Sequence, residues 1–167
     1  MEEKIIFLDI DGVLNSTDYQ NSNSCLRRLE CDRTGLMFDS PLLKQKTKDE
    51  YGNLFDPRCV NWLKAIINIT GAKIVISSDW RRNGLREMQN LWRHRELSGE
   101  VIGVTGVSES RGSEILEYIE NNPVFNYCII DDLNCSCRDL RNNWVQTEGR
   151  LGLTSIEANQ VVKILNR

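Results

Sequence analysis

A chain of 167 residues, 40% apolar and 27% charged, suits one globular domain and is long enough to bury a core. Its 21 basic and 24 acidic residues leave a formal charge of −3, which excludes the basic footprint of a protein that grips long nucleic acid. No apolar run is long enough to cross a bilayer and the charged start MEEK does not read as a signal peptide, so a cytoplasmic protein without membrane contact is expected.

Six cysteines (Cys25, Cys31, Cys59, Cys128, Cys135 and Cys137) form no CxxC pair. Cys135-Ser136-Cys137 with Cys25 and Cys31 could build a thiolate site in principle, but the spacings are poor for zinc and reduced thiols are expected. The single histidine, His94, lies between Arg93 and Arg95 on a polar stretch, which argues against a Ser-His-Asp mechanism and excludes His-rich metal sites.

Along the chain, Ile5 to Leu8 reads as a strand buried on both faces, as in a parallel sheet, and runs into Asp9-Ile10-Asp11-Gly12. Residues two apart in extended chain point to the same side, so two carboxylates converge at the tip of an apolar strand. Like charges repel there, and burial penalises ionisation. Residues 16–55 then lose clear periodicity. A polar stretch of about 40 residues is long for a connector, and it is expected to be a flap or minimal cap inserted after the first strand.

Asp56-Pro57 is an N-cap followed by a first helical residue; Val60, Leu63 and Ile67 share a helical face, and Gly71 can end the helix. Lys73 to Ile76 is a second buried strand, completing a βαβ unit. A second helix is predicted over Gly84–Leu97, with Leu85, Met88 and Trp92 inward, then a strand over Val101–Val104. A third helix from about Ser113 to Asn121 is stopped by Pro123. Tyr127–Ile130 is a fourth strand ending in Asp131-Asp132, and a fifth lies near Val145. Thr154 and Glu157 fit a capping box for the last helix. The alternation predicts a single three-layer α/β/α, Rossmann-like domain over residues 1–167, with a mostly parallel five-stranded sheet.

Ligands of such sheets bind at the carboxyl ends of the strands. The predicted ends collect Asp9 and Asp11, Ser77 and Ser78, and Asp131 with Asp132; Arg111 stands just before the third helix. Singly, each has an ordinary explanation: Asp caps turns, Ser ends strands, Arg is solvated. Together, the carboxylates need a compensating charge. Mg²⁺ supplies it through oxygen ligands, typically using one or two carboxylates, and so leaves another free for chemistry. An Asp can attack a phosphoryl group and hold it, while a second Asp two residues on protonates the leaving oxygen and then activates water.

DIDGVLN resembles the first motif of haloacid dehalogenase (HAD) superfamily phosphatases, KIVISSDWR the second and IIDD the fourth. More narrowly, FDPRCVNWLKAIINITGAKIVISSDWR, RGSEILEYI, IIDDLN and VQTEGRLGLT are similar to the small HAD family related to the phosphatase module of Swiss Army Knife RNA-repair proteins. Outside Ser16 to Leu54 the resemblance covers most of the chain. It implies a Mg²⁺-dependent phosphoric monoester hydrolase in which Asp9 is the nucleophile and Asp11 the general acid/base. Asp9, the main-chain carbonyl of Asp11 and Asp132 would hold Mg²⁺, with Asp131 a ligand directly or through water. Ser78 would bind the phosphoryl oxygens, with Ser77 the alternative. The third motif departs from the family pattern: Arg111 stands where most members place Lys, and it can neutralise phosphate bidentately. Arg81 is a candidate substrate contact beside Trp80, which is expected in the core.

The substrate is then a phosphorylated small molecule or a nucleic-acid terminus, reached through an open site because the insertion is too short for a separate cap domain. No stable protein partner is inferable. A response-regulator receiver is disfavoured, since its paired acids come early and its acceptor Asp mid-chain. A non-catalytic Mg²⁺- or phosphate-binding module, or a phosphotransferase using the same groups, would share the motifs.

Overall fold

Ile5 and Phe7 face one side of a sheet and Ile6 and Leu8 the other, all of them at most 2% exposed, and this alternation sets the layering. The computed structural model describes residues 3–35, 37, 47–134 and 137–167. In chain order the elements are β1 (Lys4–Leu8), α1 (Thr17–Thr34), β2 (Lys48–Asp49), β3 (Gly52–Asn53), α2 (Pro57–Thr70), β4 (Lys73–Ile76) and α3 (Leu85–His94). They continue with β5 (Val101–Val104), α4 (Arg111–Asn121), β6 (Asn126–Asp131), β7 (Trp144–Gln146) and α5 (Ser155–Leu165).

Five strands form one sheet in the order β5-β4-β1-β6-β7, and every pairing in it is parallel. On the Ile6–Leu8 face, Leu63 and Ile66 of α2, Met88 and Leu91 of α3, and Val161 and Leu165 of α5 close one core. On the Ile5–Phe7 face, Ile115 of α4 and Leu140 of a short 3-10 helix (Arg138–Asn143) close the other. The three-layer expectation is met, with a wholly parallel sheet. Chain order reverses direction between β1 and β6, so their carboxyl ends flank the switch-point crevice.

The helices differ from expectation mainly at their ends. Ser110 caps α4 by accepting from Ser113 N, so the helix begins two residues early and Arg111 lies in its first turn rather than before it. The helix predicted over Gly84–Leu97 is α3, which stops at His94, and Glu96 adopts φ 52 just beyond it. Residues 16–55 hold the unforeseen elements, the short antiparallel β2–β3 pair and α1, which is capped by Ser16 and closed by Gly35 in the left-handed region yet buries no residue. A helix with no apolar stripe leaves no periodic signal. It is tied down by polar contacts, Thr17 N to Gly149 O and Asp18 N to Arg150 O, each 3.1 Å.

Part of the 16–55 insertion, and Cys135-Ser136 of the thiolate alternative, lie outside the described residues. Cys25, Cys31, Cys59 and Cys128 are free thiols. No helix among the described residues is long and apolar enough to cross a membrane.

Asp56 joins the insertion to the core. Fully buried, it caps α2 through Arg58 N at 2.9 Å, accepts the Ser16 hydroxyl at 2.8 Å and pairs with the Arg58 guanidinium at 2.7 Å. Burial alone would raise its carboxyl, but the hydrogen bonds from Arg58 and Ser16 outweigh it and hold the group below the usual range. Asp56→Ala is expected to lose about 2 kcal/mol in urea denaturation at neutral pH. Because the native value is depressed, that difference is full above the unfolded value of about 4 and shrinks as pH falls through the native one.

Candidate active site

Two ladder bonds continue past the strand ends and deliver the first polar residues. Asp9 N donates to Ile130 O at 2.9 Å, and Ser77 N to Leu8 O at 3.0 Å. Beyond Asp9 the chain winds into one tight turn in which Val13, Leu14 and Asn15 N–H groups all converge on Ile10 O. Gly12 sits there at φ +78, and a Cβ on it would lie 2.4 Å from Asp132 Oδ2. The loop after β7 closes the far side: Thr147 Oγ1 donates to Gly12 O at 2.8 Å, and a Cβ on Gly149 would lie 2.7 Å from Asp132 Oδ2. Between these walls is a cavity of about 450 Å³, lined by Asp9, Asp11, Asn15, Ser78, Arg111 and Asp132 among others.

Asp9, Asp131 and Asp132 each offer a carboxylate oxygen, and these oxygens lie within 4.8 Å of one another. Burial, reinforced by the Asp131 charge, pushes the Asp9 carboxyl up to about 7, against the opposing pull of the Ser78 hydrogen bond and Arg111. Burial likewise raises Asp131 to about 6, against the Leu133 N–H and Arg111. Asp132 is raised by burial and by the Asp11 charge.

Arg111 is the cation that faces them. Its Nη2 is 3.6 Å from Asp9 Oδ1, and its Nε is 3.0 Å from Asp131 Oδ2. That second pair is close but not aligned for a hydrogen bond, and among the described residues both atoms are buried without a hydrogen-bond partner. A buried carboxylate oxygen without a donor, inside an all-oxygen cluster carrying more negative than positive charge, fits a hard divalent cation such as Mg²⁺.

The two serines separate. Ser78 lines the cavity, where its hydroxyl pulls the Asp9 carboxyl down, and caps the 3-10 helix Asp79–Asn83. Ser77 is fully buried, and its hydroxyl has no hydrogen-bond partner among the described residues.

Arg81, expected at the substrate, is 5% exposed and turns inward. Its Nη2 lies 2.5 Å from Glu114 Oε1, and its other nitrogens donate to Gly106 O and Ser77 O. The 3-10 turn after Ser78 carries its side chain away from the cavity. Glu114 in turn holds Arg111 Nη1 at 3.2 Å, so a chain of alternating charge runs from the interior to Asp9 and Asp131. The i,i+3 spacing of Arg111 and Glu114 on one helix was a usable signal. Thr147 and Gly149 lie in the VQTEGRLGLT stretch that carries the resemblance, but only the fold shows that they reach Gly12 and Asp132. Asp11, itself exposed, accepts from Asn15 and Trp80, and neither partner was foreseen.

The raised carboxyls fix the sign of a stability effect. Groups with native values above their unfolded ones stabilise fully below about pH 4 and lose that contribution as pH rises through the native values, here about 6 and about 7. Metal-free protein is therefore expected to lose stability across that interval. Asp9→Asn should flatten the slope and be on the order of 1–3 kcal/mol more stable than wild type at pH ~8, by thermal denaturation in chelator. Equal slopes in the two proteins would contradict the electrostatic description.

A family model described as "HAD domain in Swiss Army Knife RNA repair proteins" matches residues 5–158. No curated protein and no solved structure matches the chain. The matched span runs from β1 into α5 and contains every residue lining the cavity. With a switch-point crevice between parallel strands and acids at both of its edges, the chain belongs to the HAD domain family of Swiss Army Knife RNA-repair proteins.

Proposed function

We propose that the protein is a Mg²⁺-dependent phosphatase that hydrolyses a phosphomonoester through an aspartyl-phosphate on Asp9. Its family points to phosphatase-type hydrolysis in general, and HAD domains generally use Mg²⁺. The observation that carries the proposal is the buried Asp9 carboxylate beside Arg111, opening on a cavity that Asp11 also lines.

In the first half-reaction an Asp9 oxygen attacks phosphorus while the bond from phosphorus to the ester oxygen breaks. Asp11 gives that oxygen its proton, so an alcohol leaves. In the second, Asp11 takes a proton from water, whose oxygen attacks the same phosphorus. The bond to Asp9 breaks, phosphate leaves, and both carboxyls return to their starting states. Arg111 offers paired N–H donors to the equatorial phosphoryl oxygens, and the Ser78 hydroxyl adds another. When bound by Asp9, Asp131, Asp132 and the Asp11 main-chain carbonyl, Mg²⁺ supplies further countercharge to those oxygens. Arg111 so takes the part of the usual Lys, and its Glu114 and Asp131 contacts limit its freedom. Because the family is described from RNA-repair proteins, nucleotides and phosphorylated RNA ends are the first substrates to test.

Phosphate release from p-nitrophenyl phosphate, nucleotides and phosphorylated RNA ends is expected to require Mg²⁺. Asp9→Asn should lower it by about 10³-fold or more, since an amide does not form the acyl phosphate, and Asp11→Asn should be nearly as damaging. Near-normal turnover by folded Asp9→Asn would remove Asp9 as nucleophile.

A further inference from the structure

We infer that Trp80 and Gln20, the latter through Asn15, are positioning residues that clamp the Asp11 carboxylate for proton transfer, which makes the 16–55 insertion part of the acid/base apparatus; this rests on the phosphatase reading. Asp11 is exposed on a turn, where a short carboxylate ordinarily samples several rotamers. Here each of its oxygens has its own donor. Asn15 Nδ2 reaches Oδ1 at 2.7 Å, and the indole Nε1 of Trp80 reaches Oδ2 at 2.9 Å. A carboxylate oxygen accepts along two directions, so each keeps one for a proton in transit.

Both donors are held from behind, and in each case by the ends of the insertion. Asn15 Oδ1 accepts from Gln20 Nε2, which also donates to Leu54 O at 3.1 Å. Gln20 belongs to the first turns of α1, so that helix acts on the site without entering the core. On the other side, the Trp80 ring meets the Phe55 ring edge-on, with centroids 5.5 Å apart. Phe55 is buried; the Arg95 guanidinium lies 4.4 Å over its ring and is gripped by Asp49 through two bonds of 2.8 and 2.7 Å. Trp80 thus has a fixed apolar flank and one polar atom, and that atom is spent on Asp11. Packing alone would be served equally by Phe. The N–H is what packing does not explain.

The test exploits the fact that proton donation matters for a poor leaving group and hardly at all for a good one. kcat/KM stops at the first phosphoryl transfer, so it isolates the donation step. Trp80→Phe and Gln20→Leu are each compared with wild type on p-nitrophenyl phosphate and on an alkyl phosphate such as glycerol phosphate. The expected result is a rise of about tenfold in the ratio of kcat/KM for the nitrophenyl ester to that for the alkyl ester. Gln20→Leu lies on a helix that buries nothing, so it keeps the test open if Trp80→Phe folds poorly. A ratio unchanged in folded variants overturns the clamp while leaving the phosphatase reading intact. Wild-type protein with no Asp9-dependent hydrolysis of either ester overturns that reading, and the clamp with it. Independently of turnover, the Trp80 indole N–H resonance, identified by its loss in Trp80→Phe, should shift in Asp11→Ala; a resonance that stays put contradicts the hydrogen bond.

Discussion

Three carboxylates brought within 4.8 Å of one another at the meeting of two apolar strands are the constraint on which the rest of the molecule depends. β1 and β6 are buried on both faces, so their carboxyl ends cannot move apart without breaking the central ladder. The repulsion is therefore built in, and it adds to the burial that raises the Asp9 and Asp131 carboxyls. Arg111 offsets part of it. That guanidinium needs Glu114 to hold it, and Glu114 needs Arg81 to balance it in the interior. Removing Arg111 would take from the buried Asp9 and Asp131 the guanidinium that faces both, which is far more damaging than losing a surface pair. The remaining negative charge suits a divalent cation, which in the proposed reaction would offset the charge of the phosphoryl group.

The tight turn from Ile10 to Asn15 has a second task, which is to place Asp11 beside the cluster but outside it. Asp11 is exposed where Asp9 is buried, so two carboxylates two residues apart experience different surroundings. Such a division suits one group to attack and the other to exchange protons with the leaving group and water. Gly12 permits it, because its left-handed backbone and missing Cβ let Asp132 approach the turn. The loop carrying Thr147 and Gly149 seals the same contact from the end of the sheet.

Much of this was legible in the sequence, for identifiable reasons. Apolar runs at Ile5 to Leu8, Ile74 to Ile76 and Cys128 to Ile130 read as buried strands, and Asp56-Pro57 and Thr154 to Glu157 are caps whose chemistry is local. The acidic strand ends followed from those strands. What escaped was whatever depends on contacts distant in sequence. Helix α1 has no apolar stripe to announce it. Arg81 and Trp80 are neighbours, yet one turns into the interior and the other toward Asp11, because the short 3-10 helix sends consecutive side chains in different directions. Trp80, expected in the core, packs against it only partly buried and turns its N–H to Asp11. The choice between Ser77 and Ser78 likewise turns on the last ladder bond, which buries Ser77 and leaves Ser78 at the cavity.

The most direct measurement is rapid acid quench of the protein during turnover with Mg²⁺, followed by mass spectrometry of its peptides. A phosphoryl group on the peptide containing Asp9, absent in Asp9→Asn and accumulating in Asp11→Asn with a good leaving group, is the expected result. Turnover with no covalent phosphoryl-protein at any time, or with the group on another residue, would contradict the assignment of these crowded carboxylates to phosphoryl transfer.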